Sequence, residues 1–219
     1  MKKLNVLAIS AAVTGVLMTG AVAAEVTGNL GATSNYMWRG TTQTAGAAAI
    51  SGGVDYSNES GVYAGIWTSN SSFGSPETDY YVGYAGEASG FSYDVSVIDY
   101  TYSQADNIDW IEVNLGVGVD DFSFNIGITN DVFGTDTDAV YIEGAYDIAL
   151  DKETTLTLHV GSYDFDDEAA AAFDSYVDYS ATIAKGDWSF SLTDTDLDSN
   201  SFTDGDFVFV VSWGMELDL

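Results

Sequence analysis

Residues 207–219, the last of the chain, read FVFVVSWGMELDL. Counted back in twos from Leu219, every position as far as Phe207 is apolar, and the intervening positions nearest the end are acidic, small or polar. This is the period of a β-strand, whose successive side chains point to opposite faces of a sheet. A long strand with one continuous apolar face is typical of a transmembrane barrel wall, which meets lipid on one side and water or protein on the other. The stretch therefore predicts a membrane-spanning strand.

The first residues of the chain have the organisation of a secretory signal peptide. Lys2 and Lys3 precede an apolar run, and small residues at 21–24 follow it, as in an A-x-A cleavage site. Glycine, serine and threonine interrupt the run, and a polar segment begins at Glu25, which argues against a membrane-anchoring helix. We expect residues 1–24 to be a signal peptide and residues 25–219 to be the exported domain.

Composition limits what the exported domain can be. It contains no cysteine, which excludes disulfides and thiolate chemistry, and it keeps 3 basic against 34 acidic residues, a net charge of −31. Nucleic-acid phosphates would be repelled by such a surface, whereas cations would be attracted. Adaptation to a saline habitat is an alternative explanation of the charge. No stretch after residue 24 is apolar for the 18 residues of a spanning helix.

The strand pattern and the connections together define a fold class. Alternating segments predict twelve strands, at residues 26–38, 46–57, 61–69, 78–87, 90–102, 108–119, 121–130, 138–149, 153–164, 174–185, 187–196 and 206–219. Long polar connections alternate strictly with tight turns, as expected when the two ends of a barrel face different compartments. We therefore predict an all-β fold, a transmembrane antiparallel up-and-down β-barrel of about 12 strands, with the last strand paired to the first.

Aromatic residues cluster near the predicted strand ends. Two bands of amphipathic rings at the two membrane interfaces would form girdles. The aromatic residues predicted for the girdle at the long-loop ends are Tyr36, Trp38, Trp67, Tyr80, Tyr81, Tyr100, Tyr102, Trp110, Tyr141, Tyr163 and Tyr176. Those predicted for the girdle at the short-turn ends are Tyr56, Tyr63, Tyr93, Tyr146 and Trp188.

Strand parity also predicts which polar residues line the interior. An acidic interior would favour cations over anions. The predicted pore-lining residues are Arg39, Asp94, Glu112, Asn114, Asn125, Glu143, Asp147, His159, Asp178 and Glu216. Arg39, the only arginine, has two alternative roles: it pairs with carboxylates at the pore entrance, or it positions the local turn with Gly40 or meets a lipopolysaccharide phosphate.

Catalytic and metal-binding motifs are absent from this pattern. His159 is the only histidine and lies in an alternating strand, so we expect it to face the lumen rather than to act in catalysis. The acidic stretch 194–206 lacks the glycine and glutamate positions of an EF-hand calcium loop. We predict no enzyme activity, no cofactor and no specific metal site, with at most weak divalent-cation binding at the external loops.

The sequence NLGATSNYMWRGTTQTAGAAAISGGVDYSNESGVYAGIWTSN, residues 29–70, resembles the TorF-type porins, a proteobacterial outer-membrane family formerly of unknown function. Further resemblance lies in TDYYVGYAGEASGFSYDVSVIDYTY, HVGSYDF and YVDYSATIAKGDWSFSLTDTD, so it covers nearly all of the exported domain. One departure is Ser103, where the family commonly has proline. The resemblance implies an outer-membrane β-barrel and carries over no catalytic residue. The final strand also resembles the assembly signal of such barrels, with Leu219 in place of the usual terminal Phe or Trp.

These observations favour an outer-membrane porin-like channel in a Gram-negative cell, which passes small solutes by diffusion and prefers cations. Its expected partners are outer-membrane lipid, lipopolysaccharide and the barrel-assembly machinery. An alternative is a structural or binding barrel with a filled lumen and acidic external loops. A secreted soluble β-sandwich or an outer-membrane enzyme is a third alternative.

Overall fold

In a computed structural model the chain is described for residues 24–105, 108–172, 174–198 and 207–219. In chain order the strands are β1 (Glu25–Thr33), β2 (Met37–Trp38), β3 (Thr41–Thr42), β4 (Ala49–Ser57), β5 (Val62–Ser69), β6 (Glu77–Ala88), β7 (Phe91–Tyr102), β8 (Trp110–Val119), β9 (Phe122–Thr129), β10 (Ala139–Ala149), β11 (Thr154–Phe165), β12 (Tyr176–Lys185), β13 (Trp188–Thr195) and β14 (Val208–Asp218). Two short helical segments, Val132–Gly134 and α1 (Glu168–Ala171), lie between strands.

Twelve of these strands form a closed antiparallel barrel, as predicted. Each pairs with its neighbours in the sequence, except that β1 pairs with β4 and β2–β3 forms a separate hairpin. The last strand, β14, closes the wall against β1, with Thr27 opposite Asp218 and Thr33 opposite Ser212. Closure leaves no free edge whose backbone groups would lack partners.

The two ends of the barrel differ. At one end the connections are two to four residues long, and this is the short-turn end, to which both β1 and β14 bring their terminal residues, Glu25 and Asp218. The other end, the long-loop end, carries the connection that holds β2 and β3 and the two helical segments. No helix in the described part of the chain has the length and apolar character needed to cross a membrane.

The outer face of the barrel is a belt of exposed apolar side chains. On β8, Ile111, Val113, Leu115 and Val117 are each 41–54% exposed, while Glu112 between them is 1% exposed. Phe124 on β9 and the outward residues of the other strands continue the belt. A contiguous apolar surface of this extent is unfavourable in water and typical of a wall that faces lipid.

The first strand is shorter than the predicted 26–38, because short polar side chains take over its backbone bonds after Thr33. The Ser34 N–H donates to Val211 O (2.9 Å), and Ser34 Oγ accepts from the Val211 N–H (3.0 Å). The carbonyl of Asn35 accepts from Thr33 Oγ1 (2.9 Å), and its side-chain oxygen accepts from Thr42 Oγ1 (2.6 Å). Such local bonds compete with the strand ladder, so the chain leaves the wall and turns into the barrel.

The predicted girdle at the long-loop end is wrong. Most of its rings point into the barrel and are buried, namely Tyr36, Trp38, Tyr100, Tyr102, Trp110, Tyr141, Tyr163 and Tyr176; Tyr80 is an exception and is 48% exposed. At the short-turn end Tyr56, Tyr146 and Trp188 are exposed on the outer face, whereas Tyr63 points inward and donates to Asp94 (2.7 Å). The inward rings serve packing inside the barrel rather than contact with an interface.

Candidate functional site: the barrel interior

Residues 36–43 form a hairpin inside the long-loop half of the barrel, and we call this hairpin the plug. Its two short strands pair Met37 with Thr42 and Trp38 with Thr41. The turn between them is Arg39–Gly40, with φ of 47° and 76°. A two-residue hairpin turn with both central residues at positive φ is of type I′. The backbone at this turn therefore lies in the left-handed region, which is unusual for an arginine.

Trp38 anchors the plug to the wall. Its ring is packed edge-on against Tyr100, Trp110, Phe133 and Tyr163, with centroid distances of 5.8–6.2 Å. Edge-to-face aromatic pairs each contribute about 0.5–1.5 kcal/mol beyond the burial of their area. Because these neighbours come from β7, β8, β11 and a helical segment, one side chain joins distant parts of the wall.

A buried carboxylate holds the other end of the plug. Glu77 on β6 accepts hydrogen bonds from the hydroxyls of Tyr36 and Tyr102, one on each carboxylate oxygen. The ring of Tyr36 also packs edge-on against Trp67 at 5.6 Å. Both hydroxyl donors satisfy Glu77, which is 2% exposed and would otherwise be a costly buried charge.

Arg39 extends from the turn of the plug into the middle of the barrel. Its Nη2 lies 2.7 Å from Glu112 Oε1, and the two side chains are 6% and 1% exposed. The guanidinium carbon is 4.3 Å from the ring centroid of Trp38, 4.1 Å from that of Tyr141 and 4.7 Å from that of Tyr163. Three aromatic faces and one carboxylate therefore surround this cation, and guanidinium cannot lose its charge in a protein.

The structure links Glu112 to two further predicted residues. Asn114 Nδ2 donates to Glu112 Oε1 (3.0 Å), and Asn125 Nδ2 donates to Asn114 Oδ1 (3.2 Å). The chain Arg39–Glu112–Asn114–Asn125 thus runs along the inner faces of β8 and β9. Since Arg39 neutralises Glu112, this glutamate adds no net negative charge to the interior.

A second group of predicted residues lies on β10, β11 and β12, next to the plug. His159 lies between Glu143 (Nε2 to Oε2, 3.0 Å) and Asp178 (Nδ1 to Oδ1, 3.5 Å). The Tyr141 hydroxyl donates to Asp178 Oδ2 (2.9 Å), and one face of the Tyr141 ring packs against the Arg39 guanidinium. No group of three or more His, Asp or Glu among the described residues has the arrangement of a metal site.

The short-turn half of the interior is polar and acidic. Asp55 accepts from Asn29 Nδ2 (2.9 Å) and from the hydroxyl of Tyr81. Asp147 accepts from Thr157 (2.6 Å). Asp94, Asp147 and Glu216 lie in this half on β7, β10 and β14, which are not neighbouring strands of the barrel. The lysines of the barrel, Lys152 and Lys185, lie at its short-turn end.

Glycine makes room for the buried ion pair. A Cβ atom on Gly127 would lie 2.7 Å from the Glu112 carboxyl carbon and 2.9 Å from Arg39 Nη2. We expect Gly127→Ala to destabilise the docked plug by about 1–3 kcal/mol, as overpacking does. Limited trypsin digestion then cleaves after Arg39 faster than in the native protein. The control is Gly116→Ala, where the nearest atom is 3.6 Å away; equal cleavage of the two variants would contradict the expectation.

The aromatic side of this site was missed by reasoning from the sequence. The predicted girdle includes Tyr141 and Tyr163, although they share strand parity with Glu143 and His159, which are predicted to line the interior. Trp110 likewise shares parity with Glu112. Parity was therefore the signal that could have placed these rings inside.

The fold defines a class: this is a closed twelve-stranded antiparallel β-barrel, similar in fold to solved porins. It is similar to the KdgM porin, with a TM-score of 0.57 and 10% identity over 88% of this chain and 99% of that chain. The KdgM porin in complex with disordered oligogalacturonate gives a TM-score of 0.56 and 9% identity, over 89% of this chain and 99% of that one. The NanC porin gives a TM-score of 0.52 and 11% identity, over 89% of this chain and 98% of that one. At these identities the similarity concerns the fold.

The chain belongs to the Gcw_chp family, described as a bacterial protein of unknown function, whose sequence model matches residues 18–213. A comparison with curated proteins found no match to the chain. Because the family description assigns no function, the resemblance to TorF-type porins stays a prediction.

Proposed function

We propose that the protein is a non-enzymatic, porin-like channel of the bacterial outer membrane, which passes small solutes and prefers cations. The observation that carries the proposal is a closed barrel with an apolar outer belt and an inner wall that is polar and acidic in its short-turn half. An apolar exterior with a polar lumen is the arrangement of outer-membrane channels. Export by residues 1–24, contact with outer-membrane lipid and lipopolysaccharide, and insertion by the barrel-assembly machinery belong to the same proposal, as does the TorF-type assignment.

Charge supports the preference for cations. In the short-turn half, Asp94, Asp147 and Glu216 have no arginine or lysine partner among the described ion pairs. A low-dielectric wall with one sign of charge concentrates ions of the opposite sign. The KdgM structure contains oligogalacturonate, whose units carry carboxylates; an acidic lumen would repel such a chain, so we propose that the present protein passes a different class of solute.

The test is conductance and selectivity in a planar bilayer under a salt gradient. We expect the purified protein to give discrete steps with a reversal potential on the cation-selective side. The triple variant Asp94→Asn/Asp147→Asn/Glu216→Gln keeps the barrel and shifts the reversal potential toward zero. Its control is Asp164→Asn, an exposed residue at the long-loop end of β11, which leaves the reversal potential unchanged.

A second candidate function is favoured by the plug: a barrel that is permanently filled and serves through its outer loops, with weak binding of divalent cations there. The contacts of Trp38, Arg39 and Tyr36 span the long-loop half of the lumen. Absence of conductance in the native protein and in a variant whose plug is released would overturn the channel proposal and favour this second candidate.

A further inference from the structure

The environment of Arg39 has the composition of a binding site for an organic cation. The guanidinium carbon lies 4.1–4.7 Å from the centroids of three aromatic rings, Trp38, Tyr141 and Tyr163. Its Nη2 donates a hydrogen bond to the Glu112 carboxylate. Aromatic faces attract a cation through their quadrupole, more strongly where the cation is desolvated. The cation here is supplied by the chain itself.

The backbone that carries this cation is strained, and the strain has an identifiable cause. Arg39 has a φ of 47° in a type I′ turn, where Asn-Gly is the preferred pair. A residue other than glycine in the left-handed region costs free energy and persists where the surroundings enforce it. Arg39–Gly40 keeps the glycine of that pair and replaces the asparagine, so the turn itself does not favour arginine. The contacts of the guanidinium are what hold it there.

The carboxylate of the site has an unused acceptor. Glu112 is 1% exposed, and its Oε2 is buried without a hydrogen-bond partner among the described residues, as is Nη1 of Arg39. A free guanidinium ion could present two parallel N–H groups to both carboxylate oxygens, a geometry that the tethered Arg39 does not reach. Gly127 packs directly against this pair, and a Cβ there would lie 2.8 Å from Glu112 Oε1, so the glycine leaves the carboxylate room to hold a guanidinium.

We propose that the pocket formed by Tyr141, Tyr163 and Glu112 is a binding site for guanidinium-type solutes, which Arg39 fills while the plug is docked. The proposal rests on the proposed channel function and names a solute class for it: planar organic cations that enter the pocket when the plug withdraws. Planar guanidinium groups stack on rings and are weakly hydrated, whereas compact, strongly hydrated cations gain less in such a pocket. Arg39 therefore acts as a tethered competitor of the solute.

The variant that tests this is Arg39→Asn, because it removes the guanidinium and restores the preferred Asn-Gly turn. Binding of methylguanidinium to the folded, detergent-solubilised protein is followed by tryptophan fluorescence, since Trp38 packs against the guanidinium in the pocket and Trp110 packs against Trp38. We expect saturable quenching in Arg39→Asn and none in the native protein, whose pocket is filled. Potassium at the same ionic strength gives no saturable signal.

A matched variant assigns the signal to the pocket. In Arg39→Asn/Glu112→Gln, methylguanidinium loses its charged hydrogen-bond acceptor, so we expect at least about tenfold weaker binding. Binding of equal strength in the single and the double variant, or no saturable binding to Arg39→Asn, overturns the proposed site. If Arg39→Asn does not fold, as judged by its mobility on unboiled gels, Arg39→Gly takes its place, because glycine accepts the same φ.

Conductance separates this proposal from the proposed function. We expect Arg39→Asn to conduct more than the native protein and methylguanidinium to lower that conductance toward the native level. Binding without conductance in any variant would overturn the proposed channel function and support the proposed binding site. Conductance without binding would overturn the proposed binding site and support the channel function.

Discussion

Replacing Glu112 by Gln is expected to release the plug from the barrel. The substitution keeps the shape of the side chain and removes the charge that neutralises Arg39, whose side chain is 6% exposed. Breaking one partner of a buried ion pair costs about 3–5 kcal/mol, because the other charge stays buried without compensation. That cost shifts the equilibrium toward the undocked plug by at least about a hundredfold.

Trypsin reports the released plug directly, because Arg39 is the only arginine of the chain. We expect the native protein to be protected after Arg39 and Glu112→Gln to yield a new fragment that begins at Gly40, detected by mass spectrometry. The control is Glu143→Gln, which neutralises another interior glutamate that contacts His159 rather than Arg39. Equal protection of both variants would show that the ion pair does not hold the plug.

The second large effect is expected at Gly83, on the inner wall of β6. Gly83 is opposite Tyr63 across the β5–β6 ladder, and a Cβ on Gly83 would lie 2.2 Å from the Tyr63 ring. In Gly83→Ala the ring must lift from the wall, which disturbs its hydrogen bond to Asp94 (2.7 Å). We expect a loss of about 1–3 kcal/mol in the free energy of unfolding, as for other overpacked sites.

The measurement is the temperature at which the folded barrel converts to the slower, unfolded band on unboiled gels. Gly116→Ala provides a matched control on the inner wall, since its new Cβ would make ordinary contacts of 3.6–3.9 Å. It should unfold at or slightly above the native temperature, because alanine restricts the unfolded chain. The same conversion temperature for both variants would mean that the close approach of Tyr63 is not a constraint on the wall.

The plug and the channel proposal are compatible if docking is an equilibrium. The plug is held by one buried ion pair, a set of aromatic contacts and the two hydroxyls on Glu77. It also connects β1 to β4, and β1 is the strand against which β14 closes the barrel. Conduction would then depend on how often the plug withdraws, and each variant above changes that frequency through a named contact.

The sequence alone was sufficient for the barrel. The twelve predicted strands correspond to the observed ones within a few residues, except at the end of the first, and the predicted closure of β14 on β1 is confirmed. The reason is that strand alternation has a period of two and is therefore local. Connection lengths are local as well, and they were enough to separate the two ends of the barrel.

Parity failed where both faces of a strand are apolar. The segment 61–69 alternates Val62, Ala64 and Ile66 with Tyr63, Gly65 and Trp67, so the sequence could not assign its faces. The structure turns the tyrosine and tryptophan face inward, where the Tyr63 hydroxyl meets Asp94 and the Trp67 ring meets Tyr36. Packing partners on other strands decided the orientation.

The final strand and the plug show most clearly what the local sequence determines and what only the tertiary structure determines. Residues 207–219 determined by their own pattern that the chain ends in a one-sided strand, and the structure places that strand, β14, against β1. The plug could not be read in this way, because its contacts join residues far apart in the sequence: Arg39 and Glu112 are 73 positions apart, and Arg39 and Tyr176 are 137 apart. A local period fixes which side chains of a strand share a face, whereas only the closed barrel brings a carboxylate, two tyrosines and an arginine from four separate segments into one pocket.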